Sequence, residues 1–175
     1  MNEPQPTPAG RADAASPPPA IDSSSAFADA IRWAFAAAVA RDARRVLCVD
    51  RDFVHWPLGD PALLDLLTAW LRKPQRQLVL LAAGYDEVPR RHPRFVNWRR
   101  GWAHAVAAWA PPGDLGAELP TLFVDDGPIL VRLFDAVHWR GRAERDALAA
   151  RLQRDEIDAV LQRSEPAFPV TELGL

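Results

Sequence analysis

Two stretches of this chain hold residue types that do chemistry. Asp50-Arg51-Asp52 directly follows Val46-Leu47-Cys48-Val49, a short continuous apolar run that suits a strand buried on both faces. Folds with parallel strands place ligands just beyond the carboxyl ends of such strands. The second stretch, Arg90-Arg91-His92-Pro93-Arg94-Phe95-Val96-Asn97-Trp98-Arg99-Arg100-Gly101-Trp102, interleaves five arginines with aromatic residues. Guanidinium groups hold phosphates through paired hydrogen bonds, and aromatic rings stack on bases. Arg90, Arg91, Arg94, Trp98, Arg99 and Arg100 are therefore the candidate ligand-binding residues, for a phosphate-bearing ligand or a nucleic acid. The competing reading puts Phe95, Trp98 and Trp102 in the core and the arginines on a solvated face, paired with acids such as Asp86 or Glu87. With a net charge of −2 and no second basic block of this density, the packed reading is favoured over nucleic-acid binding.

Other chemistries find little support. The histidines stand at 55, 92, 104 and 138, far apart and with a single cysteine, Cys48, to join them. Zinc needs three or four converging nitrogen or sulfur ligands, so no metal site is expected. His104 and His138 stand beside tryptophans and read as buried or half-buried structural residues. There is no G-x-S-x-G elbow and no glycine-rich phosphate loop. Lys73 is the one lysine among 21 basic residues, so any reaction that needs an amine has one candidate.

A later apolar run ends in Asp125-Asp126. Asp50 and Asp52, taken with Asp125 and Asp126, resemble the two acidic clusters of haloacid-dehalogenase-type phosphatases. That resemblance implies a bound magnesium ion and Asp50 as nucleophile. The chain departs from the pattern twice. The family's second strand ends in Ser or Thr, whereas Leu80-Leu81 runs into Ala82-Ala83-Gly84, and its phosphate-binding lysine follows that strand, whereas Lys73 precedes it. Asp126-Gly127 also suits a hairpin turn for conformational reasons alone.

The elements that would position these residues alternate in type. A helix is expected after the capping hydroxyls of Ser23 to Ser25, with Phe27, Ile31, Ala34, Phe35 and Ala38 on its apolar face and its end near Arg41. Asp60-Pro61 opens a second helix, striped by Leu63, Leu64, Leu67, Trp70 and Leu71 and stopped at Lys73-Pro74. Leu78 to Ala82 is the next buried strand. A helix from Pro93 to about Ala103 presents Phe95, Trp98 and Trp102, and residues 104–110 fit either its continuation or a strand. Leu122-Phe123-Val124 and Ile129 to Leu133 read as a hairpin turning at Asp126-Gly127. The last helix is expected from about Arg142 to Arg163, with Ala147, Leu148, Leu152, Ile157, Val160 and Leu161 inward, followed by an extended tail in which Phe168, Val170, Leu173 and Leu175 need burial. A weaker basic patch, Arg140, Arg142 and Arg145, lies at the start of that helix. The order is that of an α/β domain with a mixed, partly parallel sheet.

The 175 residues suit one domain. Six of 17 prolines fall within the first 20 residues, so residues 1–22 read as a disordered tail and residues 23–175 as a single α/β domain. One cysteine excludes a disulfide scaffold. No run approaches the roughly 18 apolar residues of a membrane span, and the N-terminus has no secretory hydrophobic block, so a cytoplasmic location is expected.

Three short motifs carry a further resemblance: Val49-Asp50-Arg51-Asp52-Phe53 after a strand, Asp60-Pro61-Ala62-Leu63-Leu64 opening a helix, and Leu161-Gln162-Arg163-Ser164-Glu165-Pro166 with the spaced Leu173 and Leu175. From about residue 44 to 175 the chain resembles a group of uncharacterised bacterial domains that look like single phospholipase D-like units. The resemblance implies a three-layer α/β/α sandwich with a mixed sheet. Active phospholipase D-like enzymes need a His, a Lys two residues on, and an Asp five residues after that, the His attacking phosphorus and the Lys neutralising phosphate oxygens. None of the four histidines here starts that pattern. Where the resemblance would put it, before Asp125, the chain reads Glu118-Leu119-Pro120. The expectation is a catalytically degenerate phospholipase D-like domain that binds a protein partner or a phosphate-bearing ligand, with no cofactor. The alternatives are a magnesium-dependent phosphohydrolase using Asp50, Asp52, Asp125 and Asp126, and a nucleic-acid-binding module using the Arg90 to Trp102 segment.

Overall fold

A computed structural model describes residues 16–18 and 20–170. The first fifteen residues of the expected tail, and Leu173 and Leu175, lie outside the described residues. The packed body reaches back to Ile21, which is buried and pairs through its own N–H and C=O with Gly141.

The hydroxyl of Ser23 accepts the amide of Ala26 and starts α1 (Ser24–Ala40), which buries Phe27, Ile31, Ala34, Phe35 and Ala38 as its spacing requires. Strand β1 (Arg45–Asp50) follows, then α2 (Pro61–Leu71), capped by Asp60 and burying the whole expected leucine and tryptophan stripe. Strand β2 (Gln77–Ala82) leads to a single turn, α3 (Val88–Arg91), and to α4 (Pro93–Arg100). The ambiguous residues resolve as a strand, β3 (Val106–Ala110), because parallel pairing with β2 satisfies their backbone. A further turn, α5 (Gly113–Gly116), precedes β4 (Thr121–Asp125) and β5 (Ile129–Asp135), the expected hairpin.

The region after β5 departs from expectation. Residues read as the start of the last helix form an edge strand, β6 (Arg140–Arg145), and α6 (Ala147–Leu161) begins only after Asp146 caps it. A polar edge strand has one buried side chain, Ala143, so it has no apolar alternation to announce it. The face of α6 also differs. Ala150, Gln153 and Ile157 are buried, while Leu148 and Leu152, expected inside, are 68% and 55% exposed. The two-residue β7 (Glu165–Pro166) then pairs with β3.

Among the described residues seven strands form one mixed sheet in the order β6-β5-β4-β1-β2-β3-β7. β1, β2 and β3 run parallel, and the remaining neighbours are antiparallel. Alternation along β1 sends Val46 and Cys48 to the face packed by α1, α2 and α4, and Leu47 and Val49 to the face packed by α6. Helices thus cover both faces of the sheet.

Between β4 and β5 the glycine has a different role from the one expected. No described glycine has positive φ, so Gly127 is not needed for a left-handed turn. A Cβ there would instead collide with the guanidinium of Arg41. That guanidinium donates to Asp125 Oδ2 at 2.9 Å, while Asp125 Oδ1 accepts the amides of Gly127 and Ile129 at 2.8 and 3.0 Å. Asp125, fully buried, is thus the fastener of this turn. Asp125→Ala is expected to cost about 2–4 kcal/mol in chemical denaturation, because it strands buried donors, whereas the exposed Asp126→Ala should cost under about 1 kcal/mol. Equal losses would contradict this assignment.

Candidate functional site

β1 ends at Asp50, and its register with β4 (Val49 opposite Leu122) brings Thr121 beside it. The Thr121 hydroxyl donates to Asp50 Oδ1 at 2.5 Å, and Asp50 Oδ2 accepts the amides of Phe53 at 2.8 Å and Asp52 at 3.4 Å. Burial pushes the Asp50 carboxyl above its ordinary range, and those three donors pull against that shift. The bound loop is strained. Phe53 has φ 58°, a left-handed conformation costly for a bulky residue. It is held from two sides, its N–H by Asp50 and its C=O by His92 Nε2 at 2.8 Å. The Phe53 ring packs between Trp56 and Tyr85, with centroids 5.1 and 6.2 Å away.

Beside this loop lies a cavity of about 210 Å³ at the carboxyl end of β1. Phe27, Trp56 and Trp139 wall it, Asp50, Asp52 and Thr121 supply polar groups, and the exposed Arg51 and His55 stand at its edge. The rings meet at angles: Phe27 and Trp56 at 82°, Phe27 and Trp139 at 40°, His55 and Trp139 at 90°. A mostly apolar hollow with a few convergent polar groups is the usual form of a small-ligand site.

The second acidic cluster is elsewhere. Asp125 pairs with Val46, at the opposite end of β1 from Asp50. Four strand residues separate the two levels, about 13 Å at about 3.3 Å per residue. Asp126 is exposed beyond that end and accepts the amide of Arg44. The alternative of a magnesium-dependent phosphohydrolase is overturned by this geometry, since Asp50 and Asp52 cannot share an ion with Asp125 and Asp126. Among the described residues no three His, Cys, Asp or Glu side chains converge as a metal centre requires.

The arginine segment divides. Arg90, Arg91, Arg94 and Arg100 are exposed, with Arg90 beside Glu87 at 3.5 Å. Arg99 turns inward, donates to the carbonyl of Phe168 at 2.5 Å and stacks over that ring. Phe168 lies in turn flat against Tyr85, so Arg99 pins the chain beyond β7 rather than facing a ligand. Phe95 is buried, and half-buried Trp98 donates to Thr68 Oγ1. Phe95 and Trp98 are therefore packing residues rather than a platform for bases, and so is Arg99.

Of the acids singled out in the sequence, Asp50 and Asp52 line the cavity, whereas Thr121, Trp56, Trp139 and His92 carry no local signal that joins them to it. Thr121 becomes visible only through the β1–β4 register, and Trp139 only once β6 is a strand. The histidines also differ from expectation, since His104 and His138 are exposed and His92 is buried. No helix among the described residues is long and apolar enough to cross a membrane.

No family model and no curated protein matches the chain. Among solved structures it is similar to one described as "Structure of TrmBL2, an archaeal chromatin protein, shows a novel mode of DNA binding", with a TM-score of 0.49 and 10% identity over 74% of this chain and 50% of that one. The chain thus spans about half the length of that neighbour. A likeness at that level says nothing of what this chain binds.

His92 makes the loop testable. Burial lowers its pKa from the ordinary 6.5, with the Arg91 charge adding to the effect and the Phe53 carbonyl opposing it. The folded state then resists a proton that the unfolded state accepts, so stability is expected to fall as pH drops through about 6.5. His92→Gln, which keeps a donor for Phe53, should lose less over the same range when denaturation midpoints are compared. Parallel pH profiles would refute the assignment.

Proposed function

We propose that this chain is a catalytically degenerate phospholipase D-like domain that works as a small-ligand binding module, with its site in the cavity beside Asp50. The observation that carries the reading is where the cavity lies. It opens at the end of the sheet where β4 begins, immediately after Glu118-Leu119-Pro120, the positions at which the resemblance would set the attacking histidine and its lysine. Helices on both faces of a mixed sheet are consistent with the three-layer sandwich that the resemblance implies. Glu118 cannot replace a histidine as nucleophile toward a diester while Pro120 offers no cation to its oxygens. A hollow with aromatic walls stands at that end instead.

The charge of the hollow bears on its ligand. Asp50 and Asp52 would repel a phosphate, so a phosphate-bearing ligand fits the exposed Arg90, Arg91, Arg94 and Arg100 better than the cavity. That surface supports a second reading, an anionic partner, nucleic acid included, docked through those four guanidinium groups. Such binding should weaken steeply with added salt, and indifference to salt would reject it.

The first reading is tested by thermal shift with a small-molecule library. Val137 stands at the cavity mouth and is 81% exposed, so Val137→Trp is expected to leave the fold intact while obstructing entry. Compounds that stabilise the parent chain, by about 2.7 kcal/mol at a hundredfold excess over Kd, should lose that effect in V137W. Turnover of bis(p-nitrophenyl) phosphate, or stabilisation indifferent to V137W, would overturn the proposal.

A further inference from the structure

The cavity combines two features that together select a ligand chemistry. The first is a carboxylate without a counter-ion. Asp50 is only 8% exposed, and all three of its hydrogen-bond partners are donors, an arrangement that suits the ionised form. The charge that acts on it most directly is another carboxylate, Asp52. Among the described residues neither acid forms an ion pair. Buried carboxylates are ordinarily paired, because leaving water without a partner is costly. Asp125 in the same protein illustrates the rule, since it is fully buried and meets Arg41.

The second feature is the wall. Phe27 is flanked by Trp56 and Trp139 at centroid distances of 5.7 and 5.9 Å, in planes too different for a stack, so the rings form a corner. Aromatic faces bear partial negative charge and attract cations, most strongly ammonium groups with little hydration to lose.

We infer that the cavity takes a small organic cation, a methylated or otherwise weakly hydrated ammonium, seated against the half-buried Trp139, with the buried Phe27 and Trp56 packed behind it and Asp50 as its counter-charge. The inference rests on the cavity being the ligand site and adds the chemical class of the ligand. The volume of about 210 Å³ lies below the usual 300–1,000 Å³ of drug-sized pockets, so the ligand has few atoms beyond its cationic head. Arg51 at the edge leaves room for an anionic tail on the same molecule, whose charge it would meet outside the ring corner.

The probes are tetramethylammonium and tert-butanol, close in size and different in charge, with acetate as the anion. They are titrated into the full chain while tryptophan emission is followed. Tetramethylammonium is expected to bind at least about tenfold more tightly than tert-butanol, a margin within reach of one cation–π and charge pairing. Asp50→Asn should remove that preference. Because Asp50 also ties the Phe53 loop, Trp139→Leu, which deletes one wall, serves if the asparagine variant fails to fold. Equal binding of tert-butanol, or binding of acetate alone, would overturn the cation while leaving the cavity as a ligand site. Failure of all three probes, together with failure of the library to show any effect sensitive to V137W, would remove both.

Discussion

The carboxylate of Asp50 is the constraint on which this end of the molecule depends. It joins three pieces of chain that the sequence keeps apart: the end of β1, the loop to Phe53 and the start of β4. Without its acceptor oxygens, the left-handed Phe53 would lose one of the two bonds that hold it, and Thr121 would lose its partner. The strain is local and is offset by placing the Phe53 ring fully inside the core, where burying an aromatic side chain contributes about 1.5–3 kcal/mol. His92 completes the arrangement from α4's leading edge. The cavity is what remains between this fixed loop, the first helix and the turn before β6.

A comparison of Asp50 with Asp125 shows how strand direction separates residues that look alike in sequence. Both are buried acids at strand ends, and each accepts two backbone amides from the residues that follow. Because β4 runs antiparallel to β1, their carboxylates belong to opposite ends of the sheet. Asp125 gains Arg41 and becomes a fastener. Asp50 gains a hydroxyl and an aromatic hollow, and among the described residues its charge meets no opposite. The acid pair therefore reflects two local solutions to chain termination, with different consequences for binding.

Much of the scaffold was legible because it is built from strong local signals. Ser23, Asp60 and Pro61 mark helix starts by chemistry that acts within three residues, and the leucines of α2 recur at one period. The short runs of β1 and β2 are apolar on both faces, which reports burial directly. What escaped reading depends on distant chain. β6 has one inward side chain and pairs through its backbone, so Arg142 and Arg145 resemble the first turn of a helix. Hydrophobicity alone puts Leu148 and Leu152 inward, yet α6 buries Ala150, Gln153 and Ile157 instead. The cavity itself draws residues from positions 27 to 139, and no spacing rule joins Phe27 to Trp139.

The central claim is that the hollow beside Asp50, rather than the arginine surface, meets the ligand. Indole N–H resonances report on both places at once, because Trp56 and Trp139 wall the cavity while Trp98 and Trp102 lie with the arginine segment. Proton–nitrogen spectra recorded during a titration with a ligand found by screening are predicted to move Trp56 and Trp139 with one shared dissociation constant and to leave Trp98 and Trp102 in place. Movement of Trp98 and Trp102 alone would contradict the account.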